Sequence, residues 1–361
     1  MPRRILTVVG ARPQFIKAAA FSRALRAEPG LEERLVHTGQ HFDDNMSGVF
    51  FRELGVRPPD ISLDIHGGGH GQMTGRMLEA LEAAMIQDRP DAVLVYGDTN
   101  STLAAALAAA KLHIPLIHVE AGLRSHNRRM PEETNRVLTD HAADLLLAPT
   151  RLAMANLAAE GLAARARLVG DVMYDATLHA IAEARRSSTI LTRLDLEGRP
   201  FAVATVHRAE NTDDAAQLAR VVAYLRQAAG EKVVVFPVHP RTAQRLAEAG
   251  IDTTGLSLTE PLSYFDLHRL VDAADLVMTD SGGLQKEAYF HRTPCITLRG
   301  ETEWVETVEA GWNRLWTDPD PKPGQVRERR DIPDYGAGAA GAACVAAIRA
   351  FLDPHAAMEA A

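Results

Sequence analysis

Short, uninterrupted runs rich in Val, Ile and Leu alternate along this chain with longer segments of helical pattern. The runs lie near residues 4–9, 34–38, 91–96, 115–119, 144–148 and 167–169, and a second series lies near 201–206, 232–237, 256–259, 275–279 and 294–298. Helical segments lie near 13–27, 43–54, 72–87, 101–111, 132–142 and 150–160, and then near 213–229, 240–249, 263–273, 282–291 and 302–310. Because the runs are continuously apolar, helices must cover both faces of the sheets that they form. The pattern predicts an α/β fold built from parallel sheets.

A helix near 171–187 and a polar stretch after it separate the two series, so we place a domain boundary near residue 170. A chain of 361 residues is long enough for two ordinary domains. We predict two Rossmann-like domains that face each other across a cleft, residues 1–170 and 171–336, followed by a C-terminal helical segment at 337–361. The alternative is one doubly wound sheet, which eleven strands would make unusually wide.

Composition excludes several classes of partner. The net charge of −8 gives no electrostatic basis for binding nucleic acid. Cys295 and Cys344 cannot form a disulfide framework, which is typical of a reduced, cytoplasmic setting. The apolar run from Ile5 to Val9 is too short for the core of a signal peptide or for a membrane span. We therefore predict a cytoplasmic protein with no nucleic-acid or membrane partner.

Most of the apolar runs end on polar or ionisable residues. The carboxyl ends of parallel strands share one edge of a sheet, and ligands bind at that edge. The residues delivered there are Arg12, Asp98, Glu120 and Arg124 in the first series, and His207, Arg208, Glu210, His239, Arg241, Asp280 and Ser281 in the second. The sequence therefore predicts a ligand site rich in acids and cations.

Two turns between a strand and a helix have the features of anion sites. In TDSGGLQKE, Ser281 and two glycines precede a helix, where backbone N–H groups bind phosphate; the alternative is an ordinary serine cap. In VVGARPQFIK, Arg12 and Lys17 lie near a helix start, where cations oppose the macrodipole unless an anion is bound; the alternative is that both are solvated. Neither turn has the G-x-G-x-x-G pattern, so a nicotinamide cofactor has no support.

Several acids are candidates for proton transfer. Asp98 and Glu120 each follow a strand, and Glu132 and Glu133 fall in the first turn of a helix. Each has a structural alternative, because Asp98 would also suit a helix cap and first-turn acids favour the dipole. Carboxylates that converge on one site would act as general acid and base. No His, Cys or Asp spacing is typical of a metal site, and HGGGHG at 66–71 is interpreted as a mobile loop.

Taken together, these segments resemble the non-hydrolysing UDP-N-acetylglucosamine 2-epimerase family. The resemblance rests on GARPQFIK, TGQH, YGDTNST, HVEAGLRS, MPEETNR, TVHRAEN, PVHPR, PLSYFDLHRL, TDSGGLQKEA and TEWVE, which occur in family order over nearly the whole chain. It implies a fold of the glycosyltransferase-B type, with the last helix returning to the first domain. It also implies a cytoplasmic homodimer in polysaccharide biosynthesis that binds a UDP-sugar between its domains and needs no metal or other cofactor.

The resemblance also assigns roles to matching residues. The expected catalytic residues are Asp98, Glu120, Glu132 and His207. The expected substrate-binding residues are Arg12, Lys17, Arg124, Arg136, Arg208, His239, Tyr264, Phe265, Ser281, Gly282, Gly283, Glu287 and Arg299. Among these, Ser281 to Gly283 would form the diphosphate turn, Glu287 would bind the ribose, and Tyr264 or Phe265 would lie near the uracil.

The implied reaction is inversion of C2 in UDP-N-acetylglucosamine to give UDP-N-acetylmannosamine. C2 is not next to a carbonyl, so its proton is scarcely acidic, and loss of UDP from C1 coupled to removal of that proton would give a 2-acetamidoglucal. Cations would stabilise the departing diphosphate, and carboxylates would move the proton. The sequence does not assign which carboxylate is the base.

Some segments depart from the commonest family pattern. FDDNM after Gln40 and His41 gives no support for activation by the substrate at a second site. PQFIK, RSHNRRMPEE and TEWVE are closer to the subgroup acting on UDP-2,3-diacetamido-2,3-dideoxyglucuronate, where Arg128 and Arg129 would meet the sugar carboxylate. A UDP-sugar glycosyltransferase, a hydrolysing relative and a nucleotide-sugar sensor would also be compatible with a two-domain UDP-sugar site.

Overall fold

The computed structural model describes residues 2–40, 57–229, 232–318 and 328–353, which form two compact units. The first unit runs to Ala176 and resumes at Pro333, and the second runs from Thr177 to Ile332. Each unit is a parallel sheet, and in the described residues helices connect most of its successive strands. The prediction of an α/β fold with two Rossmann-like domains is confirmed. The helix predicted near 43–54 lies outside the described residues.

The first unit contains a seven-stranded parallel sheet in the order β3-β2-β1-β4-β5-β6-β7. Its strands are β1 (Arg3–Val9), β2 (Leu31–His37), β3 (Ile61–Ser62), β4 (Ala92–Tyr96), β5 (Leu116–Val119), β6 (Leu145–Ala148) and β7 (Ala166–Leu168). Its helices in the described ranges are α1 (Arg12–Leu25), α2 (His70–Asp88), α3 (Asn100–Lys111), α4 (Pro131–Ala142), α5 (Arg151–Ala159) and the first part of α6 (Val172–Ser187).

The second unit repeats this design with a six-stranded parallel sheet in the order β10-β9-β8-β11-β12-β13. Its strands are β8 (Phe201–Thr205), β9 (Val233–Pro237), β10 (Leu256–Thr259), β11 (Leu276–Thr279), β12 (Cys295–Thr297) and β13 (Asn313–Leu315). Its helices are α7 (Ile190–Arg193), α8 (Ala209–Thr212), α9 (Ala215–Ala229), α10 (Pro240–Glu248), α11 (Tyr264–Ala273), α12 (Gly282–Phe290) and α13 (Val305–Glu309).

The core of the first unit is set by two short apolar segments. Strand β4, AVLVY, is buried at every position, as expected for a central strand of a doubly covered sheet. Helix α3 is rich in alanine, and its small side chains let it pack closely against α2 and α4. The five alanines that it buries, Ala104, Ala105, Ala106, Ala108 and Ala109, are at most 2% exposed. These contacts fix the turn between β4 and α3.

The structure corrects several predicted bounds. Strands β3 and β13, of two and three residues, were not predicted, because runs so short carry no periodicity. The helix predicted at 302–310 begins only at Val305, because the Thr302 hydroxyl accepts the Trp304 amide and holds this turn out of helical geometry. The loop predicted at 66–71 ends earlier, since α2 begins at His70.

The last helix, α14 (Ala340–Leu352), belongs to the first unit and packs against α1. The packing is close, because a Cβ added at Gly341 would lie 3.1 Å from the Ala20 carbonyl oxygen. The Asp175 carboxylate accepts the backbone N–H groups of Ala340 at 3.0 Å and Gly341 at 2.8 Å, so it caps the helix start. Within the described ranges no helix is long and apolar enough to cross a bilayer.

Replacing Asp175 by Ala should lower the stability of the protein by about 1–2 kcal/mol, because two N–H groups at the start of α14 would lose their acceptor. The measurement is the midpoint of thermal unfolding. Glu248→Ala is the control, since Glu248 forms only exposed contacts with Gln244 and Arg245 and such surface pairs contribute little. Equal midpoints for the two variants would contradict a capping role.

Candidate active site

Three turns of the first unit meet at the carboxyl end of its sheet, because β1, β4 and β5 are neighbouring strands. Gln14 connects the first two turns. Its side-chain oxygen accepts the Gly10 amide at 2.8 Å, and its side-chain nitrogen donates to the Tyr96 carbonyl at 2.9 Å. A Cβ at Gly10 would lie 2.1 Å from the Ser101 hydroxyl oxygen, so only glycine fits there. The turns are therefore held at a fixed separation.

Lys17 and Glu120 form a buried ion pair beside the second turn. Their side chains are each 9% exposed. Gly97 has a φ of +59°, and a Cβ added there would lie 3.1 Å from the Glu120 carboxylate and 3.3 Å from the Lys17 ammonium. Glu120 itself has a φ of +69°, which costs free energy for a residue with a Cβ and is commonest at functional sites. The fold therefore places this carboxylate at the expense of backbone strain.

Asp98 follows Gly97 and is bound by Arg136, which also pairs with Glu133 at 3.1 Å. Desolvation raises the pKa of Asp98, and the nearby Glu120 carboxylate adds to the shift, while Arg136 and Lys17 oppose it. The structural alternative for Asp98 was a helix cap, but Thr99 caps α3 instead. A carboxyl group with a raised pKa beside a second carboxylate is suited to exchanging protons.

Glu132 and Glu133, adjacent in the first turn of α4, have different environments. Glu133 is buried and accepts the Ser125 amide at 2.9 Å and the His126 amide at 3.0 Å. Although desolvation opposes them, these contacts lower the pKa of Glu133. Glu133 therefore holds the preceding loop in place, whereas the exposed Glu132 is accessible to a ligand.

Arg124 was predicted to bind substrate, but its position favours a structural role. The side chain is 2% exposed and pairs with Asp140 and Glu160, each at 2.7 Å. It also donates to the carbonyl of its neighbour Leu123 at 2.6 Å. Its guanidinium is thus already engaged inside the unit. Arg12, by contrast, is partly exposed at the first position of α1.

In the second unit, the buried Asp280 organises the turn after β8. Its carboxylate accepts the backbone amides of His207 and Arg208, both at 3.0 Å, and lies 3.0 Å from the His207 ring. Although desolvation opposes them, these contacts lower the pKa of Asp280. The His207 side chain is still 49% exposed. Asp280 was predicted to lie at this edge of the sheet, because it falls between β11 and Ser281, but no role was predicted for it.

The start of α12 is surrounded by charged groups. Ser281 accepts the Leu284 amide at 3.3 Å, so the serine cap exists whether or not an anion binds. A Cβ at Gly282 would lie 2.5 Å from the carboxylate of Glu303 and 3.6 Å from the Arg208 guanidinium. Glu303, which was not predicted, also accepts from Arg299 at 2.7 Å. The glycine backbone is therefore within reach of two cations.

One hydrogen-bond donor of Arg299, near the start of α12, has no acceptor among the described residues. The residue is 8% exposed, and its Nε atom makes no hydrogen bond within the part of the chain that is described. The nearest carboxylate oxygen, on Glu210, is 3.5 Å away. Buried donors usually have acceptors, so a bound anion would satisfy this group.

The contacts of the other predicted residues of this unit say less about whether they bind a ligand. Glu287 is buried in α12, and His239 caps α10 through its ring nitrogen. Tyr264 is 2% exposed and packs edge-on against His268, whereas its neighbour Phe265 is partly exposed. Within the described residues, no group of three or more His, Cys, Asp or Glu is placed to hold a metal ion. The roles of all these residues stay predictions.

Comparisons of the sequence with known proteins agree on one family. The family model of UDP-N-acetylglucosamine 2-epimerase matches residues 23–341. A UDP-2,3-diacetamido-2,3-dideoxy-D-glucuronate 2-epimerase of Pseudomonas aeruginosa is 51% identical over 316 residues, with 86% of this chain and 88% of the relative covered. A UDP-N-acetylglucosamine 2-epimerase of Methanococcus maripaludis is 40% identical over 328 residues, with 88% and 89% covered.

Among solved structures, the UDP-GlcNAc 2-epimerase of Methanocaldococcus jannaschii in complex with UDP-GlcNAc and UDP superposes with a TM-score of 0.84. It is 37% identical, and the match covers 96% of this chain and 99% of that one. The resemblance inferred from the ordered motifs is confirmed, as is the fold of the glycosyltransferase-B type. The chain belongs to the UDP-N-acetylglucosamine 2-epimerase family, a family of isomerases.

Proposed function

We propose that this protein is a UDP-N-acetylglucosamine 2-epimerase that interconverts UDP-N-acetylglucosamine and UDP-N-acetylmannosamine without hydrolysis. The observation that carries the proposal is the convergence of Asp98 and Glu120 on Gly97. Inverting C2 requires one group to remove a proton and another to deliver one to the opposite face of the sugar. Two carboxylates of different environment, one paired with lysine and one with arginine, meet that requirement.

In the proposed reaction the C2–H and C1–O bonds break, and a C1–C2 double bond forms. A carboxylate of the first unit takes the C2 proton, and UDP leaves with the electron pair of the C1–O bond. Return of a proton to the other face of C2 and addition of UDP to C1 give the epimer. We assign the proton transfers to Asp98 and Glu120, with the exposed Glu132 as the third acid.

The second unit has the groups that a leaving diphosphate needs. The start of α12 offers backbone N–H groups, Arg208 adds positive charge beside Gly282, and Arg299 Nε lacks a hydrogen-bond acceptor among the described residues. His207, held by Asp280 yet half exposed, is suited to neutralise developing phosphate charge. We therefore assign UDP binding to Ser281, Gly282, Gly283, Arg208, Arg299 and His207.

A second candidate function is epimerisation of UDP-2,3-diacetamido-2,3-dideoxyglucuronate by the same chemistry. The specific observation in its favour is the 51% identity to the Pseudomonas aeruginosa relative of that name. The first-unit acids and the α12 turn would serve both substrates equally, because neither assignment involves C3 or C6. Arg128 and Arg129, both exposed in the loop before α4, would contact the uronate carboxylate.

We also propose that the protein is a cytoplasmic homodimer and that its product is used in polysaccharide biosynthesis. Both cysteines are buried free thiols whose pKa is raised by burial, which fits a reducing compartment. The product is a nucleotide sugar, the form in which sugars are activated for polymer synthesis.

Incubation with UDP-N-acetylglucosamine in deuterated water, without an acceptor, should place deuterium at C2 of the product. The exchange follows from loss of the C2 proton to a carboxylate, and mass spectrometry measures it. Product that retains protium at C2 would contradict the elimination. Free N-acetylmannosamine with UDP would instead indicate a hydrolase, and binding without conversion would indicate a glycosyltransferase or a sensor.

In the same assay Glu120→Gln should lower turnover by about 10²–10⁴-fold, the usual contribution of a general acid or base, and should retain UDP binding by calorimetry. Glu79→Gln, on the exposed face of α2, is the matched control and should behave as wild type. Wild-type turnover of Glu120→Gln would remove this residue from the site.

Gly97→Ala should lower turnover by at least about tenfold, because the new Cβ would push against both members of the Lys17–Glu120 pair. The matched control is Gly161→Ala. Gly161 also has a positive φ, of +78°, but nothing lies within 4 Å of its added Cβ, so it carries the same backbone strain without the crowding. Steady-state kinetics distinguish the two, and equal turnover would show that crowding at Gly97 is unimportant.

A direct comparison of UDP-N-acetylglucosamine with UDP-2,3-diacetamido-2,3-dideoxyglucuronate decides the substrate. We expect a higher kcat/KM for the simple sugar. If the uronate is preferred, Arg129→Ala should selectively lower its kcat/KM, by about the 10-fold or more that loss of a charged hydrogen bond causes. A uronate preference would overturn our choice of substrate but would leave the elimination mechanism in place.

A further inference from the structure

His118 lies in the centre of β5 and is completely buried. Its Nδ1 atom is 2.7 Å from an oxygen of Asp140, and its Nε2 atom is 2.8 Å from the carbonyl oxygen of Gly97. The imidazole therefore joins helix α4 to the turn that carries Asp98. Neither the family motifs nor the proposed acid chemistry gives this residue a role.

Both ring nitrogens face groups that accept hydrogen bonds. The Gly97 carbonyl can only accept. Asp140 accepts from the Arg124 guanidinium at 2.7 Å and from the Gly122 amide at 3.0 Å, a set of donors that stabilises a carboxylate. Although desolvation opposes them, the contacts with His118 and Arg124 lower the pKa of Asp140. The imidazole therefore bridges the two groups, and its contact with Gly97 requires a proton on Nε2.

Paired charges lie next to the ring. The Arg124 guanidinium pairs with the carboxylates of Asp140, which His118 contacts, and Glu160. Buried charges are tolerated when they are paired and hydrogen-bonded in this way. The cluster also accounts for Arg124, whose side chain is committed to this network.

The network acts on the backbone beside the reacting acid. Gly97 has a left-handed φ. The direction of its carbonyl therefore sets the backbone conformation that leads into Asp98. The next carbonyl, that of Asp98, accepts the Asn135 side chain at 2.9 Å, so two consecutive carbonyls are held from outside the turn. The residues that hold them, His118 and Asn135, come from β5 and α4.

We propose that His118 is a positioning residue whose two hydrogen bonds, to the Gly97 carbonyl and to Asp140, fix the Gly97–Asp98 turn for proton transfer. This inference rests on the proposed function only in taking Asp98 as a proton-transfer group. A residue at position 118 that cannot reach both partners leaves one of the two contacts unmade. The turn is then less well fixed, although the UDP-binding groups of the second unit are untouched.

The first test measures protonation in the wild-type chain, labelled with ¹⁵N-histidine. The Nε2 atom of His118 should carry a proton, which is donated to the Gly97 carbonyl, with the signals assigned by their loss in His118→Gln. This readout does not depend on activity, so it stands even if the proposed reaction fails. An unprotonated Nε2 would overturn the inference, because His118 could then not hold the Gly97 carbonyl.

The second test separates positioning from general damage to the fold. His118→Gln should lower kcat by about 10- to 100-fold with little change in KM, because an amide cannot donate to both Gly97 and Asp140. His118→Gln combined with Asp140→Asn should recover at least about tenfold of that loss, since the new amide donates to the glutamine oxygen. A double variant no better than the single one would overturn the positioning role.

A control variant and a stability measurement complete the second test. His113→Asn, at an exposed position of left-handed φ that asparagine tolerates, should retain wild-type kcat. Each variant is checked by thermal unfolding, and turnover is compared below the lowest midpoint. Wild-type kcat in folded His118→Gln would also overturn the proposal.

Discussion

The buried pair of Lys17 and Glu120 is the interaction on which the rest of the first unit's site depends. It connects α1 to the end of β5 across the turn after β4, and removing one partner from such a pair typically costs about 3–5 kcal/mol. The pair is possible only because Gly97 has no side chain to separate the two groups. Glu120 in turn adopts a strained φ to reach it. The carboxylate is therefore held by charge and sterics together.

Desolvation raises the pKa of both Asp98 and Glu133, yet the net shifts of these two acids are opposite. The pKa of Asp98 is raised, so it retains a proton more readily than an ordinary aspartate. For Glu133 desolvation is outweighed by hydrogen bonds from Ser125 and His126, and the pKa falls. The difference between the proposed reacting acid and the structural acid thus lies in how many donors each one meets. Neighbouring positions in one sequence motif can therefore have unrelated roles.

The sequence predicted the architecture and the placement of Asp98 and Glu120 at one sheet edge, because both follow from local patterns. Continuous apolar runs indicate covered strands, and parallel strands bring their carboxyl ends to one edge, which is how Asp98 and Glu120 were found. Pairings between distant segments leave no such local signal. Arg124 lies in the same sequence motif as Glu120, yet in the folded unit it pairs with Asp140 and Glu160. Glu303 was missed, and Asp280 was placed at the sheet edge without a role, for the same reason, since their importance comes from contacts that only the fold creates.

Helix α14 makes the first unit discontinuous in sequence, with the whole second unit inserted between Ala176 and Pro333. During synthesis, α1 leaves the ribosome more than three hundred residues before the helix that covers it. The face of α1 that α14 covers must therefore wait until the whole second unit and α14 have been synthesised. Removal of α14 would damage the first unit, although the entire second unit separates the two helices along the chain.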